Sequence, residues 1–514
     1  MTATAETRFP AHRPTRTKIV ATVGPASESA EMLEQLIQAG VDVFRLNMAH
    51  SQPADAQPMV ERIRAVAAKV AQPVAILADL AGPKMRLGEL PNGEYDCRTG
   101  STVTFVRGTE SPKPGFFTTT YEPLIDDLKT GDRVLLADGT VTLEVVSKSA
   151  DEAVCRVVQG GVVRSRQGVN LPGVDLSVQT LQPADIENAR WACTVGIDFL
   201  GLSFVRSPED IMQLRSILAA EAKKTIGEKS WDAMTEPVQR TLYPNIIAKI
   251  EKPETLACLD AIVEAADGVM VARGDLGVEA NIARIAVIQK EIIRTCRRLV
   301  KPVIVATQML ESMTSELMPT RAEATDVANA ILDGADACML SGESAVGKYP
   351  VQAVEMMHAI AVETESLLRE HASDEELLDT QIIERVLDDD ELPECVKISV
   401  AVCDAAGQLA DTIGSSMICV ATRTGRTALN LSKMRNFVMT VGTSDSEAVL
   451  RRMCLYWGVI PIGSCPTKPA EMLTNLVERA KAAGYLDAGE TVVLTTGVGT
   501  DSDDRNAIYV HLVK

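Results

Sequence analysis

Three charged residues close two apolar runs near the middle of the chain. Lys249 and Glu251 end residues 245–251, and Asp275 ends residues 268–275. Because Lys249 and Glu251 are two residues apart, they project to the same face of a β-strand. Two carboxylates with open positions suit Mg²⁺ or Mn²⁺, and a lysine beside them can stabilise charge on a phosphoryl group or an enolate. The alternative is a buried Lys–Glu pair that only joins two strands.

Strands that could carry these residues recur along the chain. Unbroken apolar runs are typical of parallel strands buried on both faces, and helical segments separate the runs, for example at residues 253–266. Eight runs are found, at residues 17–24, 41–50, 74–79, 197–205, 245–251, 268–275, 302–307 and 335–341. This α/β pattern predicts a (β/α)8 TIM barrel, in which active-site residues lie at the C-terminal ends of the strands.

Other polar residues stand near the ends of the predicted strands. They are Arg45, Asn47, His50, Asp79, Arg86, Arg273, Gly274, Thr307, Ser341 and Glu343. Arginine holds phosphate directionally, glycine lets a backbone N–H approach an anion, and Thr307 could serve a carbon that needs a proton, directly or through a water. With no obvious covalent nucleophile, the set indicates phosphoryl transfer by positioning and electrostatics. Taken singly, His50 would more often be structural, and Thr307 an ordinary strand-end hydroxyl.

Two regions depart from the barrel pattern. Residues 89–173 are rich in Gly, Val and Thr with turn signals between short runs, which predicts a small inserted β-barrel domain, here called the lid. After an acidic stretch, a helix at 398–412 opens a second alternation, which predicts a doubly wound α/β domain. The predicted limits are 1–88 and 174–372 for the barrel, 89–173 for the lid and 390–514 for the C-terminal domain.

Smaller features complete the predicted layout. The last two apolar runs, 492–496 and 508–513, are expected to pair as a hairpin-like edge. The second barrel helix is expected at 58–70. Residues 225–244 are polar and irregular and resemble an insertion, and no role follows from them.

Composition limits the choice of partner and compartment. The 514 residues carry a net charge of −19, which argues against nucleic acids and anionic membranes as general partners. Eleven cysteines without a CxxC motif fit a reducing compartment. The first residues lack the apolar stretch of a signal peptide, and no run approaches the about 20 residues of a transmembrane helix. A cytoplasmic protein is expected.

Seven segments are similar, in order, to those of pyruvate kinases. They are residues 17–27, 44–50 (FRLNMAH), 247–251 (IAKIE), 270–277 (MVARGDLG), 302–311, 319–329 and 339–345. The lysine-bearing strand and the MVARGDLG block are highly specific to that family, and the lid and the C-terminal domain match its layout. The resemblance implies glycolytic phosphoryl transfer from phosphoenolpyruvate to ADP, with Mg²⁺ or Mn²⁺ as cofactor, in a homotetramer.

The resemblance also implies a role for each matching residue. Lys249 would stabilise the phosphoryl group and the enolate, while Glu251 and Asp275 would hold Mg²⁺. Thr307 would help to protonate enolpyruvate. The remaining implied contacts are Arg45 to the phosphate, Gly274 and Asp275 to the substrate carboxylate, Ser341 within the substrate site, and Asn47, His50 and Arg86 near the nucleotide phosphates, with Arg45 and Arg86 counted as catalytic.

Two other functions fit parts of the pattern. A lyase or aldolase that forms the enolate of pyruvate would use the same metal and carboxylates, but it gives no reason for the lid and the C-terminal domain. A catalytically silent homologue that senses sugar phosphates would be expected to lack Lys249, Asp275 or Thr307, and all three are present.

A monovalent-cation site found in many family members is altered here. Asn47 and Asp79 match it, but Ala49 replaces a serine and Leu80 replaces a threonine. Lys84 stands where a potassium-independent class carries a lysine, and an ammonium could supply the single positive charge of a bound K⁺. The hypothesis is that activity does not require K⁺, and the alternative is an ordinary surface lysine beside a degraded site.

The C-terminal domain has one candidate ligand site, at residues 420–428. Hydroxyls, a glycine and free backbone N–H groups at the start of a helix can form a phosphate cradle. In the family this loop resembles the one used for phosphorylated sugar effectors, and the residues concerned are Thr422, Thr424, Gly425, Arg426 and Thr427. The alternative is a plain helix cap by Thr424 or Thr427. Because the later loop 497–506 is acidic, a monophosphate is favoured over a bisphosphate.

Overall fold

In the computed structural model, eight parallel strands close into a barrel. The structure describes residues 15–49, 52–174, 176–370, 394–463, 469–482, 484–496 and 506–514. Numbered along the whole chain, the barrel strands are β1 (Lys18–Thr22), β2 (Val43–Asn47), β3 (Ala75–Asp79), β12 (Phe199–Leu202), β13 (Asn245–Ile250), β14 (Gly268–Ala272), β15 (Val303–Ala306) and β16 (Ala337–Leu340). They pair in this order, and β16 pairs with β1, so the predicted TIM barrel is confirmed.

Helices surround the barrel because each places one apolar face on the strands. The longer helices are Ala30–Ala39, Pro53–Val70, Pro183–Val195, Pro208–Ile226, Leu259–Ala265, Ile285–Arg298, Arg321–Leu332 and Pro350–Glu370. The short helix Arg273–Glu279 directly follows β14, and the short helix Gly342–Ala345 follows β16 after Ser341, at the C-terminal ends of those strands. None of the helices in the described ranges combines the length and apolar character that crossing a bilayer requires.

Several predicted helix bounds are wrong. The second helix begins at Pro53 rather than residue 58, because proline is well suited to the first helical position. Residues 253–266 are not one helix: a 3-10 helix, Pro253–Cys258, precedes Leu259–Ala265. Residues 225–244 are not irregular, since they contain Glu228–Asp232, Glu236–Gln239 and Arg240–Leu242, the first begun after Gly227 and the second with proline near its start.

The inserted domain is all-β, as predicted, and packs around its own apolar core. Its strands are β4 (Glu94–Cys97), β5 (Thr102–Val106), β6 (Phe116–Phe117), β7 (Arg133–Leu136), β8 (Val141–Lys148), β9 (Glu152–Gln159), β10 (Gly161–Arg164) and β11 (Val169–Asn170), with one helix, Leu124–Asp127. Six of them form one sheet, and β10 pairs with β4.

The C-terminal domain is a five-stranded α/β sheet in the order β19-β18-β17-β20-β21. Its strands are β17 (Met417–Ala421), β18 (Met439–Thr443), β19 (Val459–Pro461), β20 (Thr491–Thr496) and β21 (Ala507–Leu512), and its helices are Glu394–Thr412, Arg426–Lys433, Glu447–Met453 and Pro469–Ala482. β21 runs antiparallel to β20, so the predicted edge pairing is confirmed. The first helix begins at Glu394, four residues before the predicted start at 398.

This domain packs under the barrel, at the N-terminal ends of the strands. Apolar residues inside the barrel and apolar residues of the C-terminal domain belong to one continuous cluster. Lys433 forms a fully buried ion pair with Asp336, which immediately precedes β16. The lid and the predicted site therefore lie at the opposite end of the barrel, where the strands have their C-terminal ends.

Candidate active site

Lys249, on β13, lies between two carboxylates and a hydroxyl. Its Nζ is 2.9 Å from Glu251 Oε1 and 3.1 Å from Asp79 Oδ1. It also donates a hydrogen bond to Ser203 Oγ at 2.8 Å. Burial alone would lower the pKa of Lys249, but the negative charges of Asp79 and Glu251 outweigh burial and raise the pKa. The ammonium therefore stays charged, as a group that stabilises anions must.

Asp79, at the end of β3, joins Arg45 to the same group. Arg45 Nε and Nη2 lie 2.8 Å and 2.7 Å from Asp79 Oδ2. Burial would raise the pKa of Asp79, but Lys249 and Arg45 hold it below its usual value. The register of β2 and β3 places Asn47 directly beside Asp79. Asp79 is thus a buried anion that fixes the position of two cations.

Ser203 and Phe204, which directly follow β12, also belong to the site, although they were not predicted from the sequence. Ser203 accepts the hydrogen bond from Lys249 and donates its own proton to the Leu80 carbonyl at 2.6 Å. The Phe204 N–H donates to Glu251 Oε2 at 2.8 Å, and Phe204 has φ 54°. A bulky residue in the left-handed region is an outlier that is often found at functional sites. The available signal was a serine near the end of the predicted strand 197–205.

Glu251 and Asp275 line the same cavity. Burial raises the pKa of Glu251; Lys249 opposes this rise, and the negative charge of Asp275 adds to it. A divalent cation held by both carboxylates would relieve their repulsion, so this donor set fits Mg²⁺ or Mn²⁺. In the described part of the chain, no three acidic, histidine or cysteine side chains are grouped as a metal site.

Thr307 follows β15 in a strained backbone conformation. Its φ is 70° and that of Gln308 is 52°, a conformation that costs a β-branched residue about 1–3 kcal/mol. The Gly274 N–H donates to Thr307 Oγ1 at 2.7 Å. The Gly274 N–H, which was predicted to approach an anion, is therefore directed at the Thr307 hydroxyl in this structure. Gly274 and Thr307 lie side by side.

A cavity of about 110 Å³ joins these groups, which is room for a small ligand rather than one water. Its polar lining includes Arg45, Asn47, Asp79, Lys84, Ser203, Lys249, Glu251, Asp275, Thr307 and Ser341. Lys84 is exposed. Ser341 is held by its N–H, which donates to the buried Glu343 at 2.7 Å.

Of the residues expected near the nucleotide, one lies away from the cavity and one falls outside the described residues. Arg86 does not line the cavity; it stands where the barrel joins the lid, and its guanidinium donates to the Arg166 carbonyl at 3.2 Å. His50 falls outside the described residues. The lid also contacts the barrel through the Gly173 N–H, which donates to Glu254 Oε1 at 2.8 Å. Arg86 therefore belongs to the junction between the two domains.

The predicted phosphate loop connects β17 to the helix Arg426–Lys433. Gly425 precedes that helix with φ 86°, and its N–H donates to Thr422 Oγ1 at 3.0 Å. Neither Thr424 nor Thr427 caps the helix, so the alternative of a plain threonine cap is wrong. Thr427 is buried and Arg426 is exposed.

Comparisons with known proteins agree with this architecture. A family model described as the pyruvate kinase barrel domain matches residues 14–354, and one described as the pyruvate kinase alpha/beta domain matches residues 400–511. The chain is 39% identical to a pyruvate kinase of Geobacillus stearothermophilus, over 97% of this chain and 80% of that one. It is 39% identical to pyruvate kinase 2 of a Synechocystis strain, over 94% and 77% of the two chains.

A solved structure extends the agreement to three dimensions. The crystal structure of a pyruvate kinase from Cryptosporidium parvum is 29% identical in sequence and superposes with a TM-score of 0.87, covering 98% of this chain and 97% of that one. The two family models together cover the barrel and the C-terminal domain, and the Geobacillus relative aligns with 97% of the chain. The chain belongs to the pyruvate kinase family.

Proposed function

We propose that this protein transfers the phosphoryl group of phosphoenolpyruvate to ADP, giving pyruvate and ATP. The observation that carries the proposal is one cavity in which Arg45 and Lys249 are fixed by Asp79 beside the carboxylates of Glu251 and Asp275. Fixed cations next to a metal-binding pair suit a transferred phosphoryl group, because its transfer depends on positioning and charge stabilisation.

Each residue of the site then has a defined role. Arg45 and Lys249 hold the phosphoryl oxygens, and Lys249 stabilises the enolate oxygen that remains after transfer. Asp275 and Ser341 complete the substrate site, and Gly274 contributes to it by holding the Thr307 hydroxyl through its N–H. Glu251 and Asp275 would hold Mg²⁺ or Mn²⁺, which supplies positive charge to the phosphoryl group when bound. Thr307 serves the protonation of enolpyruvate, directly or through a water.

The nucleotide is proposed to lie between the barrel and the lid. The lid itself is proposed to comprise residues 89–173. Asn47 lines the cavity and Arg86 stands at the junction of the two domains, which supports this position. His50 is retained as a third nucleotide residue on the resemblance alone.

The function is tested by supplying phosphoenolpyruvate, ADP and MgCl₂ and measuring pyruvate and ATP separately. One ATP for each pyruvate is expected. Pyruvate-enolate chemistry without ATP would favour the lyase or aldolase, and sugar-phosphate binding without turnover would favour the silent sensor. Either result would overturn the proposal.

We further propose that turnover does not require K⁺, with Lys84 supplying the positive charge. Lys84 lines the cavity together with Asn47 and Asp79. Turnover in potassium-free buffer should match turnover with KCl, and Lys84→Glu should create cation dependence or abolish activity. Lys129→Glu, at an exposed lysine of the lid, is the matched control and should change neither. A large stimulation of the wild-type enzyme by KCl would exclude this role.

A phosphorylated sugar is proposed as the ligand of the loop that contains Gly425. The exposed Arg426 and the adjoining helix start support an anion there, and a monophosphate is expected to bind more tightly than a bisphosphate. Calorimetric titration with a hexose monophosphate and a hexose bisphosphate compares them, and tighter bisphosphate binding would reverse the assignment.

A homotetramer that works in the cytoplasm is the proposed assembly. Edge strand β21 carries partly exposed apolar side chains, with Tyr509 44%, Val510 54% and Leu512 62% accessible, and such an edge can pair with another chain. Within the described ranges no disulfide joins the cysteines, as in a reducing compartment. Light scattering should give four times the 55.2 kDa of one chain; a monomer would refute the assembly.

A further inference from the structure

The strained turn after β15 is the feature that the proposed reaction leaves unexplained. Thr307 and Gln308 both have positive φ, in succession. β-branched residues rarely adopt this conformation, so it persists only where surrounding groups impose it. The turn places the Thr307 hydroxyl, which donates to the Ala306 carbonyl at 2.6 Å and accepts from the Gly274 N–H at 2.7 Å.

The guanidinium of Arg273 is the group that braces this turn. Its Nη2 donates to the Thr307 carbonyl at 2.7 Å and lies 3.4 Å from the Gln308 carbonyl, so both strained residues face the same nitrogen. Only 8% of Arg273 is exposed, and these hydrogen bonds are therefore shielded from water.

Two helices hold the other side of the guanidinium. Arg273 Nη1 lies 2.6 Å from Asp326 Oδ2, on the helix Arg321–Leu332, and 3.3 Å from Gln289 Oε1, on the helix Ile285–Arg298. The planar, forked shape of arginine lets one group reach a carboxylate and a carbonyl in fixed directions, and a lysine ammonium cannot reproduce that shape.

Arg273 also precedes Gly274, whose N–H fixes the hydroxyl. Thus one dipeptide constrains the threonine at its carbonyl, through the arginine side chain, and at its hydroxyl, through the glycine backbone. Neither contact requires Arg273 to touch the substrate, and Arg273 is not among the residues that line the cavity.

We propose that Arg273 is a positioning residue that holds Thr307 for proton delivery to enolpyruvate, an inference that rests on the proposed role of Thr307. In that step a proton from solvent, passed on by the Thr307 hydroxyl or a water beside it, bonds to C3 of the enolate. The C2–C3 π electrons form the new C–H bond, and a lone pair of the enolate oxygen forms the carbonyl of pyruvate. A displaced Thr307 slows this step without weakening the phosphate contacts of Arg45 and Lys249.

Arg273→Lys tests the inference through two readouts. Exchange of the pyruvate methyl protons with D₂O, followed by NMR with Mg²⁺ and ATP present, reports proton transfer, and KM for phosphoenolpyruvate reports substrate affinity. The exchange rate and kcat should fall about 10–100-fold, the range expected when a reacting group is misplaced by about 1 Å, while KM changes less than about threefold. Exchange within twofold of the wild type, or a rise in KM equal to the fall in kcat, would overturn the inference.

Arg64→Lys is the matched control. Arg64 lies at the opposite end of the barrel and makes the same kind of contacts, to the Asp198 carboxylate and to the carbonyls of Val74 and Gly196. The Arg64→Lys substitution should lower thermal stability but leave both the proton-exchange rate and KM for phosphoenolpyruvate unchanged. An equal loss of exchange in Arg64→Lys would mean that Arg273 acts only through general stability.

Rescue separates positioning from folding. Gln308 is exposed, and glycine adopts positive φ freely, so Gln308→Gly should let the chain hold the turn by itself. Added to Arg273→Lys, it should recover at least about threefold of the lost exchange, and no recovery would count against positioning. If Arg273→Lys does not fold, Asp326→Asn keeps the guanidinium but removes its anchor, and exchange should fall about 3–10-fold; unchanged exchange there would overturn the inference.

Thr307→Val distinguishes the two hypotheses. Normal exchange in Thr307→Val would remove the proposed role of Thr307, and the inference about Arg273 with it. Defective exchange in Thr307→Val beside normal exchange in Arg273→Lys would remove only the role of Arg273.

Discussion

Lys249→Met replaces the central ammonium of the site by an apolar side chain of similar length. Lys249 Nζ is 2.9 Å from Glu251 Oε1 and 3.1 Å from Asp79 Oδ1. With an effective dielectric constant of about 20, each attraction is roughly 5–6 kcal/mol before desolvation is subtracted. Since burial of the three charges offsets much of that attraction, removal of the lysine should lower the free energy of unfolding by about 3–5 kcal/mol.

The two carboxylates respond differently. Asp79 keeps its ion pair with Arg45, whereas Glu251 keeps the N–H of Phe204 and loses its ammonium. Burial already raises the pKa of Glu251, and Lys249 opposes that rise. The substitution should therefore raise the pKa further. A carboxyl whose folded pKa exceeds its unfolded value adds stability at low pH and loses it as pH rises through the folded pKa.

The stability deficit of Lys249→Met should therefore be larger at pH 8 than at pH 5.5, and chemical denaturation at both values measures it. Turnover should fall on the order of 10²–10³-fold, the usual result of removing one fixed group that stabilises developing charge. Mn²⁺ should bind at least as tightly as to the wild type, because the cation that competes for Glu251 is gone. Mn²⁺ titration by electron paramagnetic resonance measures this directly.

Lys18→Met is the matched control, since Lys18 is buried beside Asp42 at the other end of the barrel. It should lose stability but keep most of its turnover. Turnover of Lys249→Met within threefold of the wild type would refute the role of the lysine. Loss of Mn²⁺ binding by folded Lys249→Met would refute the assignment of Glu251 as a metal ligand.

Two further predictions concern a glycine and a buried lysine. In Gly201→Ala, the new Cβ would lie 2.9 Å from Asp79 Oδ1. The free energy of unfolding should fall by about 1–3 kcal/mol, and turnover should fall because Asp79 is displaced. Normal kinetics would show that Asp79 can move without loss of activity. Burial lowers the pKa of Lys433 from 10.5 to about 8, so unfolding takes up protons between these values and stability rises with pH there, by about 3 kcal/mol. Because the pKa of Lys301 is also lowered to about 8, the two lysines together should give about twice that rise. Lys433→Met should therefore remove about half of the rise in stability that chemical denaturation measures between pH 7 and pH 10, and an unchanged rise would exclude Lys433 as a source.

The groups that the sequence could place are those whose position follows from chain direction. Lys249 and Glu251 share a face because a strand alternates with period two. Asp275 joins them because parallel strands of a barrel end at one rim. Asp79 pairs with both Arg45 and Lys249 for the same reason, although the residues are far apart in sequence.

The groups that it could not place depend on contacts through space. Ser203 looks like the end of an apolar strand, and only the nearby Leu80 carbonyl and Lys249 ammonium give its hydroxyl a purpose. The positive φ of Phe204 and Thr307 has no local signal, because both residue types favour extended backbone. The short helices within 225–244 lie against another domain: Arg452 donates to carbonyls of Arg240 and Tyr243, a partner that local sequence does not reveal.

Domain limits drawn from sequence also hide how strongly the barrel depends on the domain beneath it. Four aspartates precede alternate strands, and each accepts an N–H from the neighbouring strand: Asp42 from Ile19, Asp198 from Ile76, Asp267 from Ile246 and Asp336 from Val303.

Buried carboxylates need cations. Two of these four aspartates are paired with cations of the C-terminal domain, Asp198 in part and Asp336 entirely. Arg451 lies 2.7 Å from Asp198, and Lys433 and Arg435 pair with Asp336. Without Lys433 and Arg435 the buried Asp336 would cost the barrel about 3–5 kcal/mol, whereas Asp198 would keep its ion pair with Arg64. Because a whole domain is stable by only about 5–15 kcal/mol, the two units that look separable in the sequence form one thermodynamic unit.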